Sequence, residues 1–145
     1  MKNKHIIFGS IVMILIALTT LSFKRMILPI QGKWQVKAKI EQKIQNGVVL
    51  ETNEKNYKEG KKTFEFAADN KLMIVDDYGK SKEKKKYVIE GNKIYIGKEM
   101  HADNLYTCTF SDNNKKVTLF RTKTKTKEGK TTVETDELRL ERMSQ

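Results

Sequence analysis

From Trp34 the chain alternates strictly between two kinds of side chain. Trp34, Val36, Ala38 and Ile40 fall on one side, and Gln35, Lys37, Lys39 and Glu41 fall on the other. A period of two is the mark of a β-strand with one face on a core and one in water. The indole of Trp34 is too large to bury against a single strand, so it demands a second layer of structure. The rest of the chain has to supply that layer.

It does so in short pieces. Lys62 to Ala67 carries Phe64 and Phe66 on one face, and Asp69-Asn70 turns the chain. Lys71 to Asp76 is apolar on both sides, with Ile74 on the inward parity. After the turn Asp77 to Lys80, alternation resumes at Lys84 to Ile89, which holds Tyr87. Ile94 to Ile96 follows, then Leu105 to Phe110 with Tyr106, Cys108 and Phe110 on one face. Lys116 to Arg121 places Val117 and Leu119 together, and Val133 to Met143 ends on Leu138, Leu140 and Arg142. Two stretches lack this pattern. Lys43 to Gly60 is polar, contains Asn46-Gly47, Asn53 and Asn56, is interrupted by the apolar Val48-Val49-Leu50, and reads as a long first loop with a short turn of its own; Thr122 to Thr132 is nearly all Lys, Thr, Glu and Gly. Strands at this spacing, joined by turn-length connections, make an all-β fold with antiparallel neighbours. A sheet of about eight such strands closes on itself to remove its edges, so the expected architecture is an up-and-down β-barrel.

The first 25 residues belong to a different kind of sequence. Lys2 and Lys4 precede an uncharged run from residue 6 to 23, and Lys24 and Arg25 close it. As a helix that run spans about 27 Å, enough to cross a bilayer. Residues 1–25 are therefore expected to be a signal peptide or an N-terminal membrane anchor that precedes the barrel as an apolar helix. Residues 26–30 form a connector containing Pro29, and residues 31–145 form the domain. An exported protein in the periplasm or cell envelope follows, tethered to the membrane if the segment stays uncleaved.

The formal charge is +11, and +7 remains once the four basic residues around the apolar run are set aside. Export removes genomic nucleic acid from the partners such a charge would attract. With a single cysteine, Cys108, no intrachain disulfide is available and the thiol reads as an inert core residue. His101 is the only histidine beyond the targeting segment, so neither a Ser-His-Asp set nor a zinc site can be assembled. Asp76 and Asp77 are adjacent and point to opposite faces of a strand. No enzyme, cofactor or metal is expected. The basic runs Lys82–Lys86 and Lys123–Lys127 would guard strand edges or touch anionic headgroups.

Several of these pieces resemble the lipocalins, and more closely the compact bacterial lipocalin-like domains. Gly32-Lys33-Trp34 resembles the Gly-x-Trp that opens the first strand of that family. Phe64-Glu65-Phe66, the hairpin Tyr87 to Ile94 and the final strand Leu138 to Arg142 are similar to the family's later motifs in order and spacing. The resemblance implies that Arg142 packs over Trp34 and closes the barrel floor, making Gly32, Trp34 and Arg142 structural. Ser111-Asp112-Asn113 stands where lipocalins carry Thr-Asp-Tyr, and three residues follow Arg142.

The inward parity then names candidates for contact with a ligand. They are Val36, Ala38 and Ile40 from the first strand, Phe64 and Phe66 from the second, and Ile74 and Tyr87 from the next two. Tyr106, Phe110 and Leu119 complete the set. The expected function is a monomeric module holding a small apolar or amphipathic molecule in the barrel. The alternative is an envelope interaction module whose barrel is filled by these same side chains. Cavity volume separates the two.

Overall fold

The structure, a computed structural model, describes residues 30–144. The apolar run 6–23, with its expected helix and its role as signal or anchor, lies outside the described residues. Among those residues no helix is long and apolar enough to cross a membrane.

Nine strands form one antiparallel sheet: β1 (Gly32–Gln45), β2 (Val48–Asn56), β3 (Thr63–Phe66), β4 (Lys71–Asp76), β5 (Ser81–Glu90), β6 (Lys93–Ile96), β7 (Leu105–Ser111), β8 (Lys116–Lys127) and β9 (Lys130–Arg142). Neighbours follow chain order from β3 to β9, and β9 pairs back onto β1. The two strands run together from Trp34 opposite Arg142 to Gln45 opposite Thr132. The other edge of β1 is shared: β3 takes Gly32 to Gln35 and β2 takes Ala38 to Gln45. β2 thus continues the position of β3, and the closed ring has eight strand positions, the barrel the alternation predicts.

The segment between β2 and β3 stays on the same edge of β1, through bonds from the Val36 N–H to the Lys62 carbonyl and from the Tyr57 N–H to the Lys37 carbonyl, and is held by a buried glutamine. The Gln35 amide donates to the carbonyls of Lys58 and Lys62, and its oxygen accepts from the Gly60 N–H at 2.7 Å. A buried amide is tolerated because its donors and acceptor are used.

The core fills one end of the barrel. Trp34, Val36, Leu72, Ile94 and Leu119 are fully buried, with Phe66, Tyr87, Val117 and Leu140 beside them. Phe66 meets Tyr87 edge to face at 5.2 Å between ring centres. Ile30, expected in the connector, is also 1 % exposed, and its carbonyl accepts from the Trp34 indole N–H at 2.7 Å. The connector's last residue therefore belongs to the barrel floor, because the indole donor needs a partner when buried.

The two stretches without apolar alternation are strands. Val48 to Asn56 is β2, joined to β1 by a two-residue turn in which Asn46 and Gly47 have φ of 51° and 75°. Thr122 to Lys127 prolongs β8, and Lys130 to Thr132 begins β9. Every residue of β2 is exposed, so no core face imposed a period on its side chains. Hairpin turn geometry and the ladder to β1 hold it instead. β7 leaves β8 at Phe120, so β2, β1, β9 and the end of β8 continue beyond the ring as a four-stranded projection.

Candidate functional site

At the floor, the Arg142 guanidinium lies 4.2 Å from the centre of the Trp34 ring. It donates to the carbonyls of Gln31 at 2.8 Å and Asn114 at 3.3 Å, stitching three segments together. Gly32 has a φ of 116°, and a Cβ there would stand 2.8 Å from the guanidinium. A glycine two residues before the tryptophan is what lets the arginine reach the ring.

The opposite end is open. A cavity of about 310 Å³ sits above the core, with a floor of Phe64, Ile74, Ile96, Tyr106 and Leu138. Tyr57 stands at one side with the Lys55 and Lys62 ammonium groups 5.2 and 5.6 Å from its ring centre. Above the floor the lining turns polar: Lys39, Lys62, Glu83, Lys85, Asn104, Arg121 and Asp136.

Each cation in that lining has a carboxylate partner. Lys39 meets Glu41 at 2.5 Å, Lys62 meets Asp76 at 2.8 Å, Lys85 meets Glu83 at 3.2 Å, and Arg121 binds Asp136 through two nitrogens. The Arg121–Asp136 pair is the most enclosed, with side chains 17 % and 16 % exposed. Arg121 also stacks 4.6 Å above the Tyr106 ring and donates to the Asp103 carbonyl. It thereby links the cavity wall to the loop before β7. The hydrogen bond from Lys62 to Asp76 holds that carboxyl below its ordinary pKa. Burial pushes the Tyr106 hydroxyl above its ordinary value, so it stays protonated and available as a donor. The arrangement is a ring of ion pairs over an apolar floor, suited to a molecule with a polar end and an apolar body.

The candidate residues divide between the two ends. Phe64, Ile74 and Tyr106 line the cavity. Val36, Phe66, Tyr87 and Leu119 are packed in the closed end. Phe110 sits there too, 6.4 Å from Trp34 between ring centres. Ala38 and Ile40 are displaced from the inward face. The ladder between β1 and β9 slips between Val36 and Ala38, so Ala38 stands opposite Arg139 and Ile40 opposite Glu137. Lys39 stands opposite Leu138 and takes the inward position. A bulge inserts one residue, and one residue exchanges the two faces of everything beyond it.

Alternation alone passes over the charged lining, yet part of it was readable. Glu83 and Lys85 share the parity of Tyr87, Arg121 that of Leu119, and Asp136 that of Leu138. Extending the inward parity past the last apolar residue finds all four. Lys39 has no such signal, because its place depends on the bulge. Cys108 is partly buried against the core, and burial pushes its thiol up to about 12. His101 is exposed and meets Glu99 at 2.5 Å. Asp77 has a φ of 47° in the turn after β4. No cluster of potential metal ligands occurs among the described residues.

Fold and site together define a closed antiparallel β-barrel, packed at one end and hollow at the other. No model of a known protein family, no curated protein and no solved structure matches this chain.

Proposed function

We propose that this chain is an exported lipocalin-like binding protein that carries a small amphipathic molecule in the open end of its barrel. The observation that carries the reading is the 310 Å³ cavity, with its apolar floor and its ring of ion pairs. Its volume falls at the lower end of the range for small-molecule sites. A purely apolar guest would leave the charges of Lys39, Lys85 and Arg121 partly desolvated, so the reading favours a guest with a polar end. The protein acts by binding rather than by catalysis. The N-terminal apolar run keeps it at the cell envelope, as anchor or signal.

Native mass spectrometry of the full-length protein, purified from its own compartment, tests this. The expected result is a bound small molecule that disappears in Ile74→Trp, a substitution that fills the cavity, while the circular dichroism spectrum is retained. A clean unliganded mass, with no amphiphile taken up by the folded protein, overturns it.

A second reading has its own observation. The outer edge of β2 has no partner strand among the described residues and all its residues are exposed, Val48, Val49 and Leu50 among them. That projection supports an envelope interaction module, and it gains the field if the cavity proves empty.

A further inference from the structure

The barrel wall has a break, and it lies beside the cavity. β5 divides its partners: Ser81 to Lys86 pairs with β4, whereas Tyr87 to Glu90 pairs with β6. β6 ends at Ile96, and the last bond across this seam runs from the Gly97 N–H to the Lys86 carbonyl at 3.0 Å. At Gly97 the chain turns away with a φ of 146°, and a Cβ would stand 3.0 Å from the Asn104 side chain. Beyond that point β5 has no strand partner on its β6 side among the described residues, and Gly97, Lys98 and Asn104 of the following loop line the space beside it. Arg121 pins this loop through the Asp103 carbonyl.

The break opens as a groove of about 780 Å³. Glu83, Lys85, Ile96 and Asn104 line both this groove and the barrel cavity, so the two spaces share a wall. The remaining charged side chains of the groove all have one sign: Lys71, Lys84, Lys86 and Lys98. Lys71 and Lys86 stand directly opposite each other in the β4–β5 ladder, where like charges repel. Lys71 is partnered by Asp69 and Lys85 by Glu83, but Lys84, Lys86 and Lys98 have no ion pair among the described residues. In the cavity lining, by contrast, all four cations are matched.

Guarding a free edge accounts for lysines on β5. It does not account for Lys71 on β4 or Lys98 on the loop, which converge on the same groove. A cleft lined by one sign of charge concentrates the opposite ion within it.

We propose that this lateral break is the anion-binding doorway of the barrel. It holds the acidic headgroup, carboxylate or phosphate, of an amphiphile whose apolar body lies on the Phe64, Ile74 and Ile96 floor. This deepens the carrier reading and rests on it. The lysine ammoniums supply the headgroup's counter-charge, and Ile96, at the junction of the two spaces, marks where the molecule passes from polar to apolar surroundings.

Calorimetric titration of the full-length protein with decanoate, decyl phosphate, decanol and acetate tests it, beside a variant carrying Lys84→Gln, Lys86→Gln and Lys98→Gln. The two acids are expected to bind about tenfold or more tightly than decanol at low ionic strength, three surface lysines each contributing. The advantage shrinks with added salt and vanishes in the triple variant, which keeps its affinity for decanol. Equal affinity for acid and alcohol overturns the doorway and leaves the carrier intact. So does an acid preference that survives in the triple variant, since the anion then sits elsewhere. Displacement of decanoate by acetate at matched concentration reduces the site to a simple anion site and overturns the amphiphile. If neither acid nor alcohol binds, carrier and doorway both fall. Lysine-dependent binding to phosphatidylglycerol vesicles without decanoate binding assigns the patch to a membrane surface instead.

Discussion

The closed and open ends of the barrel share strands β5, β8 and β9, whose alternation runs unbroken from one end to the other, yet their interiors have opposite chemistry. On β8 the inward residues run Val117, Leu119 and then Arg121. On β9 they run Leu140, Leu138 and then Asp136. On β5, Tyr87 gives way to Lys85 and Glu83. At one level around the ring, apolar side chains stop and charged ones begin. Below it buried side chains pack against one another; above it the strands enclose the cavity of about 310 Å³. Period two says which way a side chain points. What it points into depends on how far along the strand the core extends.

If that contrast is sound, the two ends respond differently to damage. Trp34→Ala removes the largest buried side chain and the ring beneath Arg142, and should cost about 3–5 kcal/mol. The urea midpoint reports this as a large fall, and an unchanged midpoint would refute a floor centred on the indole. Arg121→Ala strips the partner from Asp136 in a partly open wall, and the expected cost is about 1–3 kcal/mol, smaller than at the floor. The double change Arg121→Met with Asp136→Leu sharpens the comparison. It should recover stability, since an apolar pair can replace an enclosed ion pair at no net loss. Failure to recover would show that the charged ring stabilises the open end rather than serving a guest.

The last effect is absent at neutral pH, is confined to alkaline solution, and belongs to the closed end. The folded Cys108 thiol holds its proton up to about 12, whereas the ordinary value is 9.0. Between those values the folded state binds more protons than the unfolded one, so stability falls as pH rises through that window. Cys108→Ala should flatten the alkaline fall in melting temperature without changing the profile below pH 9.0. Native protein should also resist thiol alkylation at neutral pH and react once unfolded. Rapid labelling of the folded protein would place the thiol outside the core.

How much of this was legible varies from strand to strand. β3, β7 and the apolar part of β8 could be read directly, because each lays one face on the core and the other in water. β2 could not. Its residues touch no core, so burial selected no pattern, and Asn46-Gly47 was the only sign that a hairpin formed there. The site was half legible. Phe64, Ile74 and Tyr106 follow from parity, and Arg121 and Asp136 follow once parity is carried past the last leucine. Ala38, Ile40 and Lys39 were misassigned by one position, because the slip after Val36 arises in pairing with a strand about a hundred residues away.

By itself, then, the sequence determined the class of fold and the face on which most strand core residues lie, and both follow from local periodicity. The glycine, tryptophan and arginine that meet at the floor were implied by the resemblance to lipocalins. Only the tertiary structure decided where β1 bulges, where β5 changes partner, and therefore that a cavity opens at one end with a lysine-lined break in its wall. These are properties of strand pairing, and hydrogen bonds between distant backbones leave no period in the sequence of either one.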